Sequence, residues 1–381
     1  MLIVRSPVRI SFGGGGTDLP SYYERYGGAV LSTAINKYFY TILTKRIDDK
    51  IQIISSDLRI IETWEDITRV NPKGGNLEIP LAAMKYLGIN TSVNLFLASE
   101  IPPGTGLGSS ASVCVNILKA LATYLRVFMT KGELAEKAFS IARDMLEMPV
   151  GKQDEYAASF GGLNYIVFGR DGQTSVQPVS LAPDVLRELQ SNLMLFYTGA
   201  SHNSWSILES QEQSTKQTFG PAVSSLRQIQ LLAQQMYTSL IEGNLNQFGR
   251  LLDESWQAKR KVSDKISNAR IDSLYESART AGALGGKITG AGGGGFLLLY
   301  CEKKHQDSVR SALGRETLRE MTFEFDFQGA RVLVNDPFLD DDGQCGLRWD
   351  FVPFDEQTVG IPGEGVFSAG STSAAKKQER Q

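Results

Sequence analysis

Two runs of four consecutive glycines constrain this chain more than any other feature: "FGGGGTD" (Phe12 to Asp18) and "KITGAGGGGFLLLY" (Lys287 to Tyr300). Each glycine held in one folded conformation costs roughly 0.5–1 kcal/mol relative to alanine. One run would pass for a flexible linker. Two runs, each beside an apolar strand-like segment, mark places where backbone must come very close to something.

The 381 residues exceed the roughly 250–300 at which a single hydrophobic core stops growing, so two domains and a tail are expected. A formal net charge of -3 gives no reason to expect nucleic acid or a membrane surface as partner; a small molecule fits better. Cys114, Cys301 and Cys345 are odd in number and lack paired spacing, which argues for a reducing compartment and against a disulfide framework or zinc site. "MLIVRSPVRI" meets Arg5 and Arg9 before a signal-peptide core can form, and no apolar run reaches the roughly 20 residues of a membrane span. The expectation is a cytoplasmic protein. His202 and His305, the two histidines, cannot build a multi-histidine metal site.

The N-terminal third alternates as strands do, in "MLIVRSPVRISF", "AVLSTAI", "KYFYTILTKR", "KIQIIS" and "SVNLFLAS". "EIPLAAMKYLG" reads as a short helix, Ala111 to Leu125 as a longer one, and Lys131 to Leu146 as a third. A loop, a helix starting near Asp154 and a strand follow. From Leu193 the pattern begins again with a strand, then helices over 219–239, 244–262 and 266–281. "FLLLYC", a helix over 306–320 and the strand "MTFEFDFQGARVLV" close it. The expected domains are 1–175 and 176–336. A tail, 337–381, is too small and polar to order fully.

The most specific stretch is "IPPGTGLGSSASV", Ile101 to Val113. Gly104, Gly106 and Gly108 permit tight turns and close approach of a large anion, and Ser109, Ser110 and Ala111 open a helix whose free N–H groups favour phosphate. Neither a Walker A motif nor a dinucleotide fingerprint has this spacing. Taken alone, the stretch is a phosphate cradle or a tight strand-to-helix turn.

"SPVRISFGGGGTD", "PPGTGLGSSAS" and "KITGAGGGG", in that order, resemble the three motifs of the GHMP small-molecule kinases over about Met1 to Asp336. Within that superfamily "SFGGGGTDLPSYY", "GKQDEYAASFGG" and "FYTG" are most similar to D-glycero-D-manno-heptose 7-phosphate kinases. The resemblance implies an α+β, two-domain GHMP kinase fold. Its N-terminal domain would be ribosomal-protein-S5-like with a left-handed β-α-β unit, its C-terminal domain ferredoxin-like, and the active site would lie between them. It implies ATP and Mg²⁺, a sugar or sugar phosphate acceptor, and a monomer or homodimer.

Roles follow only where motifs match. Pro102, Gly104, Gly106, Leu107, Gly108, Ser109, Ser110 and Ala111 would wrap the ATP phosphates, with Ser110 near Mg²⁺. Arg9 matches the arginine beside the reacting hydroxyl, and Asp154 the proposed catalytic aspartate, whose charge a nearby arginine would support; Lys152 would add a second positive charge. The bland reading of Asp154 is a helix cap. Gly15, Gly16, Thr17 and Asp18 would face the sugar, with the two glycines where galactokinase-like members carry Glu-His. Gly292 and Gly293 would form the facing wall, led by Lys287 and Thr289. Trp64 resembles an adenine-contacting segment or is a plain exposed tryptophan.

Two departures stand out. Ala142 occupies the position of a magnesium-binding glutamate, with Asp144 or Glu147 as possible compensation. His202 stands where heptose phosphate kinases tend to have an arginine. Together they leave open another sugar 1-kinase, acting on fucose, arabinose or a hexose, or a ligand-sensing homologue with weak catalysis. The acidic run at Asp340 to Asp342 reads as a solvated patch.

Overall fold

The structure, a computed structural model, describes residues 1–90, 92–199, 204–215 and 220–336. His202, the acidic run and the tail therefore lie outside the described residues.

The chain opens with β1 (Leu2–Gly13), α1 (Pro20–Tyr26) and an 18-residue β2 (Gly28–Lys45), which merges two expected strands. Then come β3 (Ile51–Ser55), β4 (Ile60–Trp64), α2 (Glu78–Tyr86), β5 (Val93–Ser99), α3 (Ser109–Tyr124) and α4 (Lys131–Ser140). A π-helical turn, Ile141–Met145, prolongs α4 before α5 (Gln153–Phe160), β6 (Leu163–Phe168) and β7 (Thr174–Pro178). The second half runs α6 (Pro183–Asn192), β8 (Leu193–Tyr197), α7 (Ser204–Thr215), α8 (Pro221–Ile241), α9 (Leu245–Arg260) and α10 (Ala269–Thr280). It ends with β9 (Gly285–Ile288), β10 (Phe296–Tyr300), α11 (Gln306–Gly314), β11 (Arg319–Glu320) and β12 (Arg331–Asn335).

The length of β2 organises the first sheet. Its whole edge pairs with β1, its C-terminal half with β5 and its N-terminal half with β6, so the sheet forks. β3 and β5 run parallel, with β4 outside β3. Pro7 cannot donate to the ladder, and β1 shifts register beside it and again between Ser11 and Gly13, where the first glycine run leaves the sheet. The second sheet has the order β11-β8-β10-β9, all antiparallel, the β-α-β-β-α-β arrangement of a ferredoxin-like domain.

Two expectations are corrected. The final strand covers only Arg331–Asn335 and pairs with the free edge of β1, so the chain returns to the first sheet. Alternation gives a strand its faces and leaves its neighbour open. The helix expected over 306–320 stops at Gly314, and the chain then extends to pair Arg319 and Glu320 with β8.

The two layers share one core. Val8, Ile10 and Phe12 of β1 are buried together with residues of α8, α9 and β10, and Phe12 meets Phe248 edge-on at 5.3 Å. A second core lies under α2, α3 and α4. No helix among the described residues is long and apolar enough to cross a membrane.

Candidate active site

One cleft gathers the ends of β1, α3, α5 and α9. Gly104, Gly106 and Gly108 line it together with Ser109, Ser110 and Ala111. Gly108 precedes α3, and no side chain caps that helix. The first N–H groups of α3 are thus left for an anion, and Ser110 is exposed beside them.

Gly106 packs against the turn that leads into the second glycine run. Its φ is 79°, and a β-carbon there would collide with the Thr289 carbonyl; a β-carbon on Gly290 would lie 2.5 Å from Gly106 Cα. Thr289 Oγ1 also donates to the Thr105 carbonyl at 3.3 Å. The β9–β10 turn of the second layer therefore packs backbone to backbone against the cradle.

Arg9 comes up through β1 into the same space. Its Nε and Nη2 each donate to Asp154 at 2.7 Å, and its Nη1 donates to the Gly106 carbonyl at 2.6 Å. Asp154 lies inside the first turn of α5, so it is no N-cap; Lys152 holds that position, and its side chain does not cap the helix. A β-carbon on Gly108 would come within 3.0 Å of Asp154 Oδ2. The carboxylate thus sits against the last cradle glycine, at the mouth of α3.

A cradle at a bare helix N-terminus with an Arg-held carboxylate beside it suits phosphoryl transfer, and the comparisons agree. The family model for the GHMP kinases N terminal domain matches residues 78–162, and that for GHMP kinases C terminal matches 236–320. The chain belongs to the GHMP kinases. It is 29% identical over 334 residues to a D-glycero-alpha-D-manno-heptose 7-phosphate kinase of Campylobacter jejuni, covering 86% of this chain and 97% of that one. It is 25% identical over 335 residues to the L-fucokinase/L-fucose-1-P guanylyltransferase of Bacteroides fragilis, 80% of this chain and 35% of that longer protein. A solved D-glycero-D-manno-heptose 1-phosphate kinase from Bacteroides thetaiotaomicron superposes with a TM-score of 0.74 at 26% identity, over 88% of this chain and all of that one. The activity is therefore that of an ATP-using phosphotransferase with an alcohol acceptor.

Several side chains of this GHMP kinase stand elsewhere than the sequence suggested. Lys152 turns away from the cleft; its ammonium is held by both carboxylate oxygens of Glu136 and by the Gly172 carbonyl, each at 2.8 Å. Thr17 is fully buried and donates to the Gly14 and Ala29 carbonyls, which fixes the loop. Pro102 and Leu107 do not line the cleft: the Pro102 carbonyl accepts from Thr105, and Leu107 is core, its carbonyl accepting from Arg9 N. Gly292 and Gly293 are also outside it. A β-carbon on Gly292 would meet the Ile266 carbonyl at 2.7 Å, and Gly293 N donates to that carbonyl, while Gly290 and Ala291 do line the cleft. Lys287 is buried with Nζ 3.4 Å from the Phe12 carbonyl, and Trp64 packs on the core under α2.

The first glycine run divides its work. Gly16 has φ 100°, and the place of its missing side chain is filled by Gln211 and Leu226 of this chain. Gly15 and Gly16 both line the cleft, but around Gly15 the place of the missing side chain meets only contacts of 3.5 Å and beyond. Asp18 lines the cleft too, and its carboxylate accepts from Gly16 N at 2.8 Å and Gln153 Nε2 at 3.1 Å. Burial, then the nearby Asp154 charge, pushes its carboxyl above the ordinary range.

Ala142 does face the cleft, carried there by the π-helical turn. Asp144 and Glu147 do not: Asp144 accepts from Ser140 Oγ and Glu147 pairs with Lys73. Residues that sequence reasoning missed include Ser11, Gln153, Glu155, Lys259 and, from α7, Trp205, Leu208 and Gln211. Glu155 is 1% exposed, with Oε2 unpartnered; burial, then Asp154, raises its carboxyl well above the usual range. Lys259 is buried also, and desolvation lowers its ammonium to about 8.

Proposed function

We propose that this GHMP kinase transfers the γ-phosphoryl group of ATP to the anomeric hydroxyl of a D-glycero-D-manno-heptose 7-phosphate. The observation that carries the chemistry is the Asp154 carboxylate, clamped by Arg9 against Gly108 at the open end of α3. The acceptor is drawn from the heptose kinase relatives, which align over nearly their full length.

In this reading the cradle N–H groups and the α3 N-terminus hold the nucleotide phosphates. Asp154 accepts the proton of the attacking hydroxyl while its oxygen bonds to the γ-phosphorus and the bond to ADP breaks. Arg9 fixes that carboxylate and places positive charge beside the transferred group. Asp18, already aligned by Gly16 and Gln153, accepts from sugar hydroxyls.

A metal is implied by the family, and the residues present fit one. Mg²⁺ needs few protein ligands, because phosphates and water complete its shell. Among the described residues no cluster of three or more His, Cys, Asp or Glu surrounds a cation site. Ser110 and the orphaned carboxylate of Glu155 would hold it. Cys114, one helical turn after Ser110, feels the Glu155 charge and touches the Ala138 carbonyl, one turn before Ala142. In this reading a carboxylate from α5 would take the place of the one missing at 142. Held there, Mg²⁺ would offset the negative charge of the phosphates during transfer.

Incubation with ATP, Mg²⁺ and a panel of sugars and sugar 7-phosphates, followed by ³¹P NMR, tests the reading. A new anomeric phosphate on heptose 7-phosphate is the expected product. Product from fucose or another free sugar alone would reassign the acceptor, and no product despite tight ATP binding would favour a sensor.

A further inference from the structure

A second set of donors lines the same cleft and takes no part in the transfer as described. Lys259, on the last turn of α9, is 6% exposed. Its Nζ donates to the Gly290 carbonyl at 2.6 Å, and no carboxylate among the described residues closes an ion pair with it. Ser11 Oγ is buried without a partner. Gln153 uses Nε2 once, on Asp18, and its Oε1 is buried and unpartnered.

These groups come from β1, α5 and α9 and converge on one point. A β-carbon placed on Gly15 would lie 3.5 Å from Ser11 Oγ, 3.6 Å from Gln153 Nε2 and 3.9 Å from Lys259 Nζ. All four residues line the cleft. Gly15 is the gap that the three donors surround. A buried ammonium with no carboxylate in ion-pair contact and a buried hydroxyl without a partner are both unfavourable as they stand. An anionic oxygen entering the gap satisfies both, and charge-assisted bonds to it are the strong kind.

We propose that Lys259, Ser11 and Gln153 form an oxyanion niche around Gly15 that holds a phosphoryl group. The inference rests on the kinase reading for its two sources, the acceptor's own phosphate and the phosphoryl in transfer. It gives Gly15 a role: a side chain there would occupy the niche.

Lys259→Met and Ser11→Ala, each checked for folding by thermal unfolding, test the niche. Inorganic phosphate is titrated first, without nucleotide, by ³¹P NMR. Its Kd should rise by about tenfold or more in Lys259→Met and by a smaller factor in Ser11→Ala. Steady-state kinetics with heptose 7-phosphate and with the unphosphorylated heptose then separate the sources. If the acceptor's phosphate occupies the niche, KM rises for the 7-phosphate alone. If the phosphoryl in transfer occupies it, kcat falls on both acceptors with both KM values unchanged. Phosphate affinity, KM and kcat all within about twofold of wild type in the folded variants would overturn the proposal. Should the wild type phosphorylate neither sugar, the heptose reading fails and the phosphate titration alone decides the niche. Ser11→Ala keeps the test open if Lys259→Met does not fold.

Discussion

Arg9 and Asp154, 145 residues apart, are locked by two parallel hydrogen bonds of 2.7 Å, and the same guanidinium reaches the Gly106 carbonyl. One side chain therefore ties the carboxylate to the glycine loop before α3. Asp154→Asn keeps the shape, but turns an NH₂ group toward an arginine that has only donors to offer. Turnover should fall by about 10²–10⁴, the usual range for a positioned acid-base group. The Kd for a non-hydrolysable ATP analogue, measured by calorimetry, should move far less. Equal losses in both would sink the assigned role.

Glu155 and Ala142 line one cleft, and only the first has a carboxylate to give. Glu155→Gln should weaken Mn²⁺ binding in the presence of the ATP analogue by about tenfold, read by EPR of the bound ion. Ala142→Glu in the Glu155→Gln background should recover part of that affinity. Unchanged Mn²⁺ binding in Glu155→Gln would place the metal elsewhere.

Gly106 and Gly15 should respond in opposite ways to the same substitution. Gly106→Ala forces a left-handed residue with a β-carbon into the Thr289 carbonyl. The backbone cost alone is about 1–2 kcal/mol, with the collision added, so denaturant unfolding should show a clear loss. Gly15→Ala meets only ordinary contacts of 3.5 Å and beyond. Its stability should stay within about 0.5 kcal/mol of wild type, while phosphate binding weakens because the methyl enters the niche.

Lys259 gives the site a pH signature. Desolvation brings its ammonium down to about 8; Asp18 and Asp154 support the charge, and Arg9 and the neighbouring Lys287 oppose it. The cation is present below that value, so phosphate affinity should fall as pH rises through it. Stability has the opposite slope: between about 8 and the ordinary lysine value near 10.4, the unfolded chain binds more protons than the folded one, so stability rises with pH. Phosphate titrations on either side of pH 8 check the first effect. Lys259→Met shares the titration of phosphate itself, so the difference between the two curves isolates the lysine. Parallel curves would refute the assignment.

Much of this was legible in the sequence. The order of the three motifs implied the fold, and the strand and helix patterns placed nearly every long element. Gly104, Gly106 and Gly108 before an apolar helix pointed to the cleft, and the match of "GKQDEY" pointed to Asp154, which lines the same cleft. The buried polar residues were harder to see. Lys259 falls three residues after Trp256 and seven after Leu252, on the buried face of a strongly amphipathic helix. That misplaced lysine was a signal, one that is readable only when the helix is drawn as a wheel. Glu155 gave none, because its neighbour Asp154 carries the recognisable motif.

Sequence alone determined most of the longer strands and helices and the glycine turns, because periodicity and conformational cost are local properties of the chain. Tertiary structure decided what each glycine was for and where each charge pointed. Gly292 and Gly293 pack on Ile266, and of the cleft-lining pair Gly15 and Gly16 only Gly15 has room for a side chain, because Gln211 fills the other's place. Lys152 and Lys259 are both buried lysines, yet Glu136 holds one and no carboxylate among the described residues pairs with the other. The reason is physical: a side chain's chemistry depends on the groups that other elements bring within a few ångströms, and those neighbours are far away along the chain.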